Sequence, residues 1–309
     1  MFNAIKSGEF ILRWEAFVKE RFPFSSYFPL ILFYFTGNAF IAVNVTGQTI
    51  KGKNIEEILG FIVIFLIFFH LRIFDDIKDS RNDRNAHPDR PLARGLISAP
   101  EAKLAAAGLI SAEIIIASLI GLPAFFAVCC TAVYSLIMYK EFFIGKWLRP
   151  RLATYALSHT LVSCLMSLFI FSAVTGNQFW RIPKEYGIFV LSNWLIFNIF
   201  EFGRKTFGKE EESDLIDSYS KRLGPLRSAL NIILMAILAI CIAFYFGRIF
   251  ELGKIVFIPM IILLLSVFAP ALLYARFNNI FYARWFRGTC SVFILLYNVV
   301  ITSGFLFKR

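Results

Sequence analysis

The sequence predicts an all-α, polytopic membrane protein with nine transmembrane helices. Of its 309 residues, 58% are hydrophobic and only 17% are charged, which is too apolar for an ordinary soluble domain. A spanning helix needs about 20 apolar residues, and runs of roughly that length occur nine times. The predicted spans are 27–44, 58–75, 104–121, 123–140, 152–174, 186–203, 228–247, 254–275 and 289–306.

The connections between these runs are short, so residues 1–309 are expected to form a single transmembrane domain. Gly121, Leu122 and Pro123 make up the link between the third and fourth runs, which predicts a tight helical hairpin. Residues 1–26 alternate aromatic and charged side chains and lack the apolar core of a signal peptide. We expect this segment to lie in the cytoplasm or at the membrane surface.

The formal charge of +11 is unusual for so apolar a chain. Of the 32 Lys and Arg residues, 23 lie in the N-terminal segment and in alternate loops, against 8 on the opposite side. The positive-inside rule then places the N-terminus in the cytoplasm and the C-terminus on the other side. A basic excess can indicate nucleic-acid binding, but no soluble basic domain is available to carry it, so no nucleic-acid partner is predicted.

A cluster of carboxylates follows the second run. On a helix, Arg72 and four aspartates fall within one arc of about 100°, and like charges three or four residues apart repel. Mg²⁺ would offset this repulsion, since it binds one or two carboxylates while keeping waters and phosphate oxygens. The alternative is a solvated helix end neutralised by nearby Lys and Arg. The four aspartates are Asp75, Asp76, Asp79 and Asp83.

The spacing Asp75-Asp76-x-x-Asp79-x-x-x-Asp83, followed by Arg90-Pro91-x-x-x-Gly95, resembles the first motif of the UbiA superfamily of intramembrane prenyltransferases. Asp75 stands where that family usually has Asn. The resemblance implies a UbiA-like helical barrel around a lipid-facing cavity, with Mg²⁺ as the cofactor that binds an isoprenoid diphosphate. It also implies that the four aspartates are catalytic metal ligands and that Arg90 contacts the substrate. Arg72 lies on the same helix face as the aspartates, so we predict that it binds the substrate electrostatically.

The second acidic motif of that family, D-x-x-x-D-x-x-x-D after the sixth span, is altered here. Glu201 holds the first acidic place, whereas Lys205 and Lys209 hold the next two. We therefore predict one Mg²⁺ at the first motif and a cationic clamp on the diphosphate at the second. Asn198, Glu201, Arg204 and Lys205 are the candidate substrate-binding residues. The alternative is an inert ion pair of Glu201 with Arg204 or Lys205.

Three further candidates lie between the fourth and fifth runs. Tyr139, Lys146 and Arg149 are the nearest counterparts of a Tyr and a basic pair that reach the diphosphate in the family, although topology explains Arg149 equally well. Glu113 and His159 lie inside predicted spans, where an ionisable residue is a candidate for an interior role.

The predicted function is a Mg²⁺-dependent enzyme that ionises an isoprenoid diphosphate and transfers the prenyl group to an aromatic or lipid acceptor. Two other reactions of the same superfamily stay open: terpene cyclisation of the diphosphate alone, and phosphoribosyl transfer to a polyprenyl phosphate. The alternative from another class is a cation-binding, lipid-binding or transport protein. Inverted repeats with broken helices would favour a transporter, and none is evident in the sequence.

Overall fold

The computed structural model describes residues 2–48, 55–213 and 217–308, and within these ranges it contains α-helices and short 3₁₀ turns but no β-strand. The 3₁₀ turns are Glu141–Phe143, Phe179–Arg181 and Lys209–Glu211. The helices are α1 (Phe2–Arg21), α2 (Phe24–Val45), α3 (Ile55–Ala86), α4 (Ala99–Ile120), α5 (Leu122–Tyr139), α6 (Gly145–Leu148), α7 (Leu152–Thr160), α8 (Val162–Thr175), α9 (Lys184–Arg204), α10 (Tyr219–Leu223), α11 (Pro225–Ile249), α12 (Lys254–Phe277) and α13 (Ile280–Leu306).

Among the described residues, nine helical segments are long and apolar enough to cross a membrane. They are α2, α3, α4, α5, the pair α7 and α8, α9, α11, α12 and α13. The pair α7 and α8 forms a single span that is interrupted only at Leu161, which keeps helical backbone angles (φ −60°, ψ −21°). The all-α class and the count of nine spans are therefore confirmed.

The helices extend further than the apolar runs on which the spans were predicted. The last run begins at residue 289, but α13 begins at Ile280, where the Asn279 side chain accepts a hydrogen bond from the Tyr282 amide at 3.0 Å. Similarly, α3 continues to Ala86, well beyond the predicted end at residue 75. Charged residues at a helix end reach water and remain helical, so a hydropathy pattern stops before the helix does.

The hairpin between α4 and α5 forms as the sequence predicts. Gly121 adopts φ 146° between the two helices, a conformation that costs little only for glycine. Pro123 follows in the first turn of α5, where its missing amide hydrogen is not needed. At its other end, α4 is capped by Ser98, whose side chain accepts a hydrogen bond from the Glu101 amide.

Consecutive spans pack side by side, and α13 returns to contact α2, which closes the bundle. One large core lies among α9, α11, α12 and α13, and a second lies among α2, α3, α5 and α8. Helices α9 and α13 approach closely at Gly203, because a Cβ added there would collide with Cys290. We call the end of the bundle where α3, α5 and α9 finish, and where α4 and α13 begin, the carboxylate end.

The N-terminal helix α1 packs against the carboxylate end of α3 and α4. Phe17 and Phe22 at its end are fully or almost fully buried, and Phe22 lies 5.0 Å from the ring of Phe69 on α3. In contrast, Ile11 and Leu12 on the other face are more than 60% exposed. The segment predicted to lie at the membrane surface is therefore an amphipathic helix with one face docked on the bundle.

Candidate active site

The carboxylate of Asp76 is held by arginines from two helices. Arg21, the last residue of α1, donates to both oxygens of Asp76 at 2.6–3.1 Å. Arg72, one turn earlier on α3, donates to the same carboxylate at 2.5 Å. The Asp76 side chain is only 4% exposed. This paired arginine arrangement satisfies a charge that would be costly to bury alone.

Asp83 is also paired with an arginine. Arg90, in the loop after α3, donates to Asp83 at 2.7 Å, and the Asp83 side chain is 8% exposed. Arg90 begins the Arg-Pro stretch that follows the acidic motif. The structure therefore places Arg90 where it anchors the loop on α3.

Asp75 and Asp79 lie one turn apart on the opposite edge of the acidic arc. Asp75 has a distant partner in Lys78, whose Nζ is 3.5 Å from the carboxylate, and its side chain is half exposed. Asp79 is exposed, and within the described part of the chain it forms no ion pair or hydrogen bond. Both carboxylates interact electrostatically with Arg204 at the end of α9. The end of α9 therefore lies near these two acids.

At the end of α9, Glu201 is bound by the two cations that follow it. Arg204 donates to both carboxylate oxygens at 2.5 and 3.0 Å, and Lys205 Nζ lies 3.0 Å from Oε1. Lys209 is exposed on the following 3₁₀ turn. The helix end therefore presents a partly neutralised acid and an excess of positive charge.

A tyrosine from a third helix connects the two helix ends. The Nζ atoms of Lys78 and Lys205 lie 5.9 and 5.8 Å from the ring centroid of Tyr155 on α7, within the range of cation–π attraction. His159, one turn later, stacks on the same ring at 3.8 Å. The Nε2 atom of His159 is buried and has no partner among the described residues. Tyr155 thus brings a lysine of each motif to one place.

The three loop candidates have different surroundings. Tyr139 stacks on Phe74 at 4.6 Å, directly beside Asp75 in sequence. Lys146 is exposed on the short helix α6. Arg149 pairs with Glu141 at 2.8 Å, a hydrogen bond that raises the pKa of the Arg149 guanidinium, and its charge also interacts with Asp79. Of the three loop candidates, Tyr139 and Arg149 therefore interact with the acidic helix or its carboxylates.

Asn198 is buried between helices and forms hydrogen bonds with other protein groups. Its side chain is fully buried, accepts a hydrogen bond from Thr160 at 2.9 Å and donates to the Trp194 carbonyl at 2.8 Å. These contacts join α9 to α7 one turn below Glu201. The structure assigns Asn198 contacts with protein groups, and its role in substrate binding stays a prediction.

Glu113 forms a buried pair inside the bundle. Its Oε1 lies 2.7 Å from Nδ1 of His70 on α3, and both side chains are completely buried. His70 also contacts Phe74 edge to face at 5.4 Å. This pair joins α3 and α4 below the acidic arc.

The donor set of Asp75 and Asp79 fits Mg²⁺. Mg²⁺ is commonly held by one or two carboxylates together with waters and substrate phosphate oxygens, and among the described residues these two carboxylates form no direct ion pair with an arginine. Within residues 2–48, 55–213 and 217–308, no three His, Cys, Asp or Glu side chains converge on a preformed metal site. The roles of all four aspartates as metal ligands therefore stay predictions, and Asp75 and Asp79 are the two that form no ion pair with an arginine among the described residues.

Three residues of this site were not among the candidates predicted from the sequence. Arg21 lies 55 residues from Asp76, and no spacing rule connects such distant positions. Tyr155 lies in an apolar run and carries no motif. Lys78 stands out in the sequence because it interrupts the acidic run. A lysine at this position is equally expected at a solvated helix end, so the sequence alone did not identify it as a site residue.

Two open surface cavities lie away from this site. One of about 650 Å³ is lined by Ile280, Phe281, Arg284 and Trp285 at the start of α13. Another, of about 600 Å³, lies at the opposite end of the bundle between the α11–α12 turn and the end of α13. Neither is lined by a residue of the acidic or cationic helix ends.

The fold and the site together define a polytopic helical membrane protein in which an acidic helix end faces a cationic one. Residues 30–286, more than four fifths of the chain, match the family model described as the UbiA prenyltransferase family. The chain therefore belongs to this family. It is an integral membrane protein. No curated protein sequence matches it.

Solved structures with the same fold support this assignment. An apo UbiA homologue from Aeropyrum pernix K1 has a TM-score of 0.66 at 15% identity, covering 89% of this chain and 97% of that one. A digeranylgeranylglyceryl phosphate synthase has a TM-score of 0.62 at 18% identity, covering 91% and 97%. A UbiA homologue from Archaeoglobus fulgidus bound to GPP and Mg²⁺ has a TM-score of 0.51 at 16% identity, covering 89% and 95%. At these identities the likeness shows the fold.

Proposed function

We propose that the chain is a Mg²⁺-dependent intramembrane prenyltransferase that ionises an isoprenoid diphosphate and transfers the prenyl group to an aromatic or lipid acceptor. The observation that carries the proposal is that Lys78 of the acidic helix and Lys205 at the end of α9 meet on the ring of Tyr155, which brings Arg204 near Asp75 and Asp79. An acidic pair opposite a cation suits a ligand that combines a metal ion with a diphosphate. The Archaeoglobus fulgidus homologue, bound to GPP and Mg²⁺ in one structure and to DMAPP and Mg²⁺ in another, supports this ligand class.

Asp75 and Asp79 would hold Mg²⁺, and when bound the ion supplies positive charge that stabilises the departing diphosphate. Arg204 is suited to bidentate contact with phosphate oxygens, whereas Lys78 and Lys205 act as point charges. These fixed cations need little reorganisation as negative charge develops, which is how preorganised groups lower a barrier. Asp76, held by Arg21 and Arg72, keeps the motif helix in place beneath them.

The altered second motif favours a single metal ion. Replacing an aspartate by Lys205 changes the local charge by two units, which equals the charge of one Mg²⁺. Because Lys205 already binds Glu201 at 3.0 Å and lies near Tyr155, Glu201 is engaged by cations. We therefore propose that Arg204, Lys205 and Lys78 take the place of a second metal ion.

The metal stoichiometry tests this cationic clamp. Mn²⁺ bound to the wild-type protein in the presence of inorganic pyrophosphate is expected at one ion per chain, as counted by electron paramagnetic resonance. Lys205→Asp removes the cation and adds a carboxylate, so it is expected to bind a second Mn²⁺. Lys205→Gln is the matched control and is expected to stay at one. Two ions on the wild-type protein, one of them lost on Glu201→Gln, would contradict the clamp.

Product analysis tests the activity itself. Purified protein in lipid nanodiscs is incubated with Mg²⁺ and dimethylallyl, geranyl, farnesyl or geranylgeranyl diphosphate, with and without aromatic and lipid-alcohol acceptors. Mass spectrometry of the extract is expected to show a prenylated acceptor and released diphosphate only with Mg²⁺. A hydrocarbon or terpene alcohol formed without any acceptor would select the cyclase. Binding without diphosphate release would select a binding or transport protein.

A further inference from the structure

Three aromatic rings meet directly below the facing helix ends. Tyr34 on α2, Phe68 on α3 and Phe197 on α9 contact one another, with centroid separations of 5.5–6.0 Å for the three pairs. We call these three residues the aromatic floor. Each ring comes from a different helix, so the three rings pack together where α2, α3 and α9 meet.

The aromatic floor lies on the same helix faces as the site. Phe68 precedes Asp75 by seven residues, which is about two turns, so it lies about 10 Å below Asp75 and within about 20° of its direction. Phe197 precedes Glu201 by four residues and lies about 6 Å below it, within about 40°. An apolar chain attached to a diphosphate at the helix ends therefore points at these rings.

A hydrogen-bonded polar layer lies immediately beneath the aromatic floor. The Tyr34 hydroxyl donates to the Ser163 carbonyl at 2.6 Å and lies 2.9 Å from the Ser167 hydroxyl. Asn193 donates to Asn38 at 2.9 Å and to the Ser167 hydroxyl at 3.1 Å. The remaining member is Tyr186, which donates to Asn38 at 3.2 Å and to the Ser167 carbonyl at 2.7 Å.

Every side chain of the polar layer is completely buried. An apolar chain that entered the layer would separate these groups and leave buried donors and acceptors without partners, which is costly. A chain that ran down between α3 and α9 would therefore meet two barriers in succession, first the rings of the aromatic floor and then the polar layer. A packing contact alone explains the rings, but it does not explain why a buried layer of hydrogen-bonded polar side chains lies beneath them.

The geometry points to the aromatic floor as the determinant of prenyl chain length, so that the substrate is a short isoprenoid diphosphate, dimethylallyl or geranyl. An extended isoprene unit has four chain bonds of about 1.5 Å and spans about 5 Å. The rise of about 10 Å along α3 from Phe68 to Asp75 equals the length of one to two units. This inference rests on the proposed function, because it takes the diphosphate to lie between α3 and α9.

Binding and turnover of a chain-length series test the inference. The wild-type protein is expected to bind and turn over dimethylallyl and geranyl diphosphates at least tenfold better than the farnesyl and geranylgeranyl compounds, a ratio within the range of apolar-pocket discrimination. Phe68→Ala and Phe197→Ala open the floor and are expected to reduce that ratio about tenfold. If the alanine variants do not fold, Phe68→Leu and Phe197→Leu are used instead, and they are expected to reduce the same chain-length ratio by a smaller factor.

Phe65→Ala is the matched control. Phe65 lies three residues before Phe68 on α3, but its ring contacts Phe22, Phe24 and Phe61 outside the floor. Its removal is expected to lower thermal stability and to leave the chain-length ratio unchanged. A change in that ratio equal to the Phe68→Ala change would show that the effect is a general loss of packing, and would overturn the inference.

The outcomes separate this inference from the proposed function. If the wild-type protein binds none of the four diphosphates in the presence of Mg²⁺, the proposed function fails. If it binds and converts all four equally well, the diphosphate site stands and the chain-length limit is wrong, because long chains then leave the bundle sideways between helices.

Discussion

Asp79 and Asp83 are one turn apart on α3 and differ in their partners. Asp79 forms no ion pair or hydrogen bond among the described residues, whereas Asp83 is held by Arg90 at 2.7 Å. We expect Asp79→Asn to lower kcat/KM by at least 100-fold, because loss of a metal carboxylate removes several kcal/mol of transition-state stabilisation. The melting temperature should change little, since an exposed, unpaired side chain contributes little to stability.

Asp83→Asn is the comparison for this prediction. It leaves Arg90 facing a neutral amide. It is therefore expected to lower the melting temperature more than Asp79→Asn does, and to lower kcat/KM less than Asp79→Asn does. Both variants are measured by steady-state kinetics and by thermal unfolding in detergent. Equal losses of turnover in the two variants would show that the acidic arc works as one unit and would contradict the separate roles.

The docking of α1 is the first question at the scale of the element. Besides the Arg21 contact with Asp76, α1 reaches the next loop through Glu20, whose carboxylate binds Arg94 at 2.6 and 2.9 Å. It reaches α4 through Arg13, which binds Glu101 at 2.9 Å. These contacts tie α1 to the acidic helix, to the loop that carries Arg90 and to α4. The N-terminal segment thus forms part of the carboxylate end.

Removal of the Arg21 side chain tests this coupling. Arg21→Gln leaves Asp76 with Arg72 alone, and breaking one partner of a partly buried ion pair is strongly destabilising. We expect amide hydrogen exchange in residues 75–83 to rise by at least tenfold. Lys19→Gln, on the same helix but with an exposed partner in Glu15, is the control and should not change it. Unchanged exchange in Arg21→Gln would show that α1 does not support the motif.

The loop after α9 is fixed to α13 by a carboxylate. Arg287 donates to both oxygens of Glu211 at 2.6 and 2.7 Å, and the Gly208 amide donates to Glu211 at 3.1 Å. Burial disfavours the ionised carboxylate, but these hydrogen bonds outweigh burial and hold the pKa of Glu211 below its ordinary value of 4.5. The ionised group therefore stabilises the folded loop.

The sign of this pKa shift predicts a dependence on pH. Because the folded pKa is below the unfolded value, the stabilisation is complete above about pH 4.5 and is lost as the pH falls through the folded pKa. The melting temperature of Glu211→Gln should therefore lie below that of the wild-type protein at pH 7, and the difference should shrink in acid. Glu210→Gln keeps an oxygen that can accept from the Ile280 amide, so it should follow the wild-type curve.

At the scale of the whole molecule, the odd number of spans among the described residues, nine, predicts that the two ends of the chain lie on opposite sides of the membrane. The excess of 23 over 8 basic residues predicts that the carboxylate end faces the cytoplasm. The test uses a variant from which the native cysteines have been removed, expressed in the cytoplasmic membrane of intact cells. A membrane-impermeant thiol reagent should label Lys308→Cys and should not label His87→Cys. Labelling of His87→Cys alone would show that the orientation is the reverse of the predicted one. Labelling of both variants would contradict the odd number of spans.

The sequence by itself determined the class of the protein, the number of spans, the hairpin at Gly121 and the acidic and altered motifs. These features are local: hydropathy, glycine and proline positions and the helical period of 100° per residue act over a few neighbouring residues. Residues 75–83 were therefore recognisable as a functional cluster before their surroundings were known.

The tertiary structure decided which members of that cluster are held by arginines. The four aspartates look equivalent along the helix, but Arg21 and Arg90 occupy two of them, and the end of α9 lies near the other two. The contacts of Tyr155 with Lys78 and Lys205, and the rings of the aromatic floor, likewise join residues from separate helices. Contacts between helices depend on which faces pack together, and that choice is made by the whole bundle, because no single segment can bury its own face.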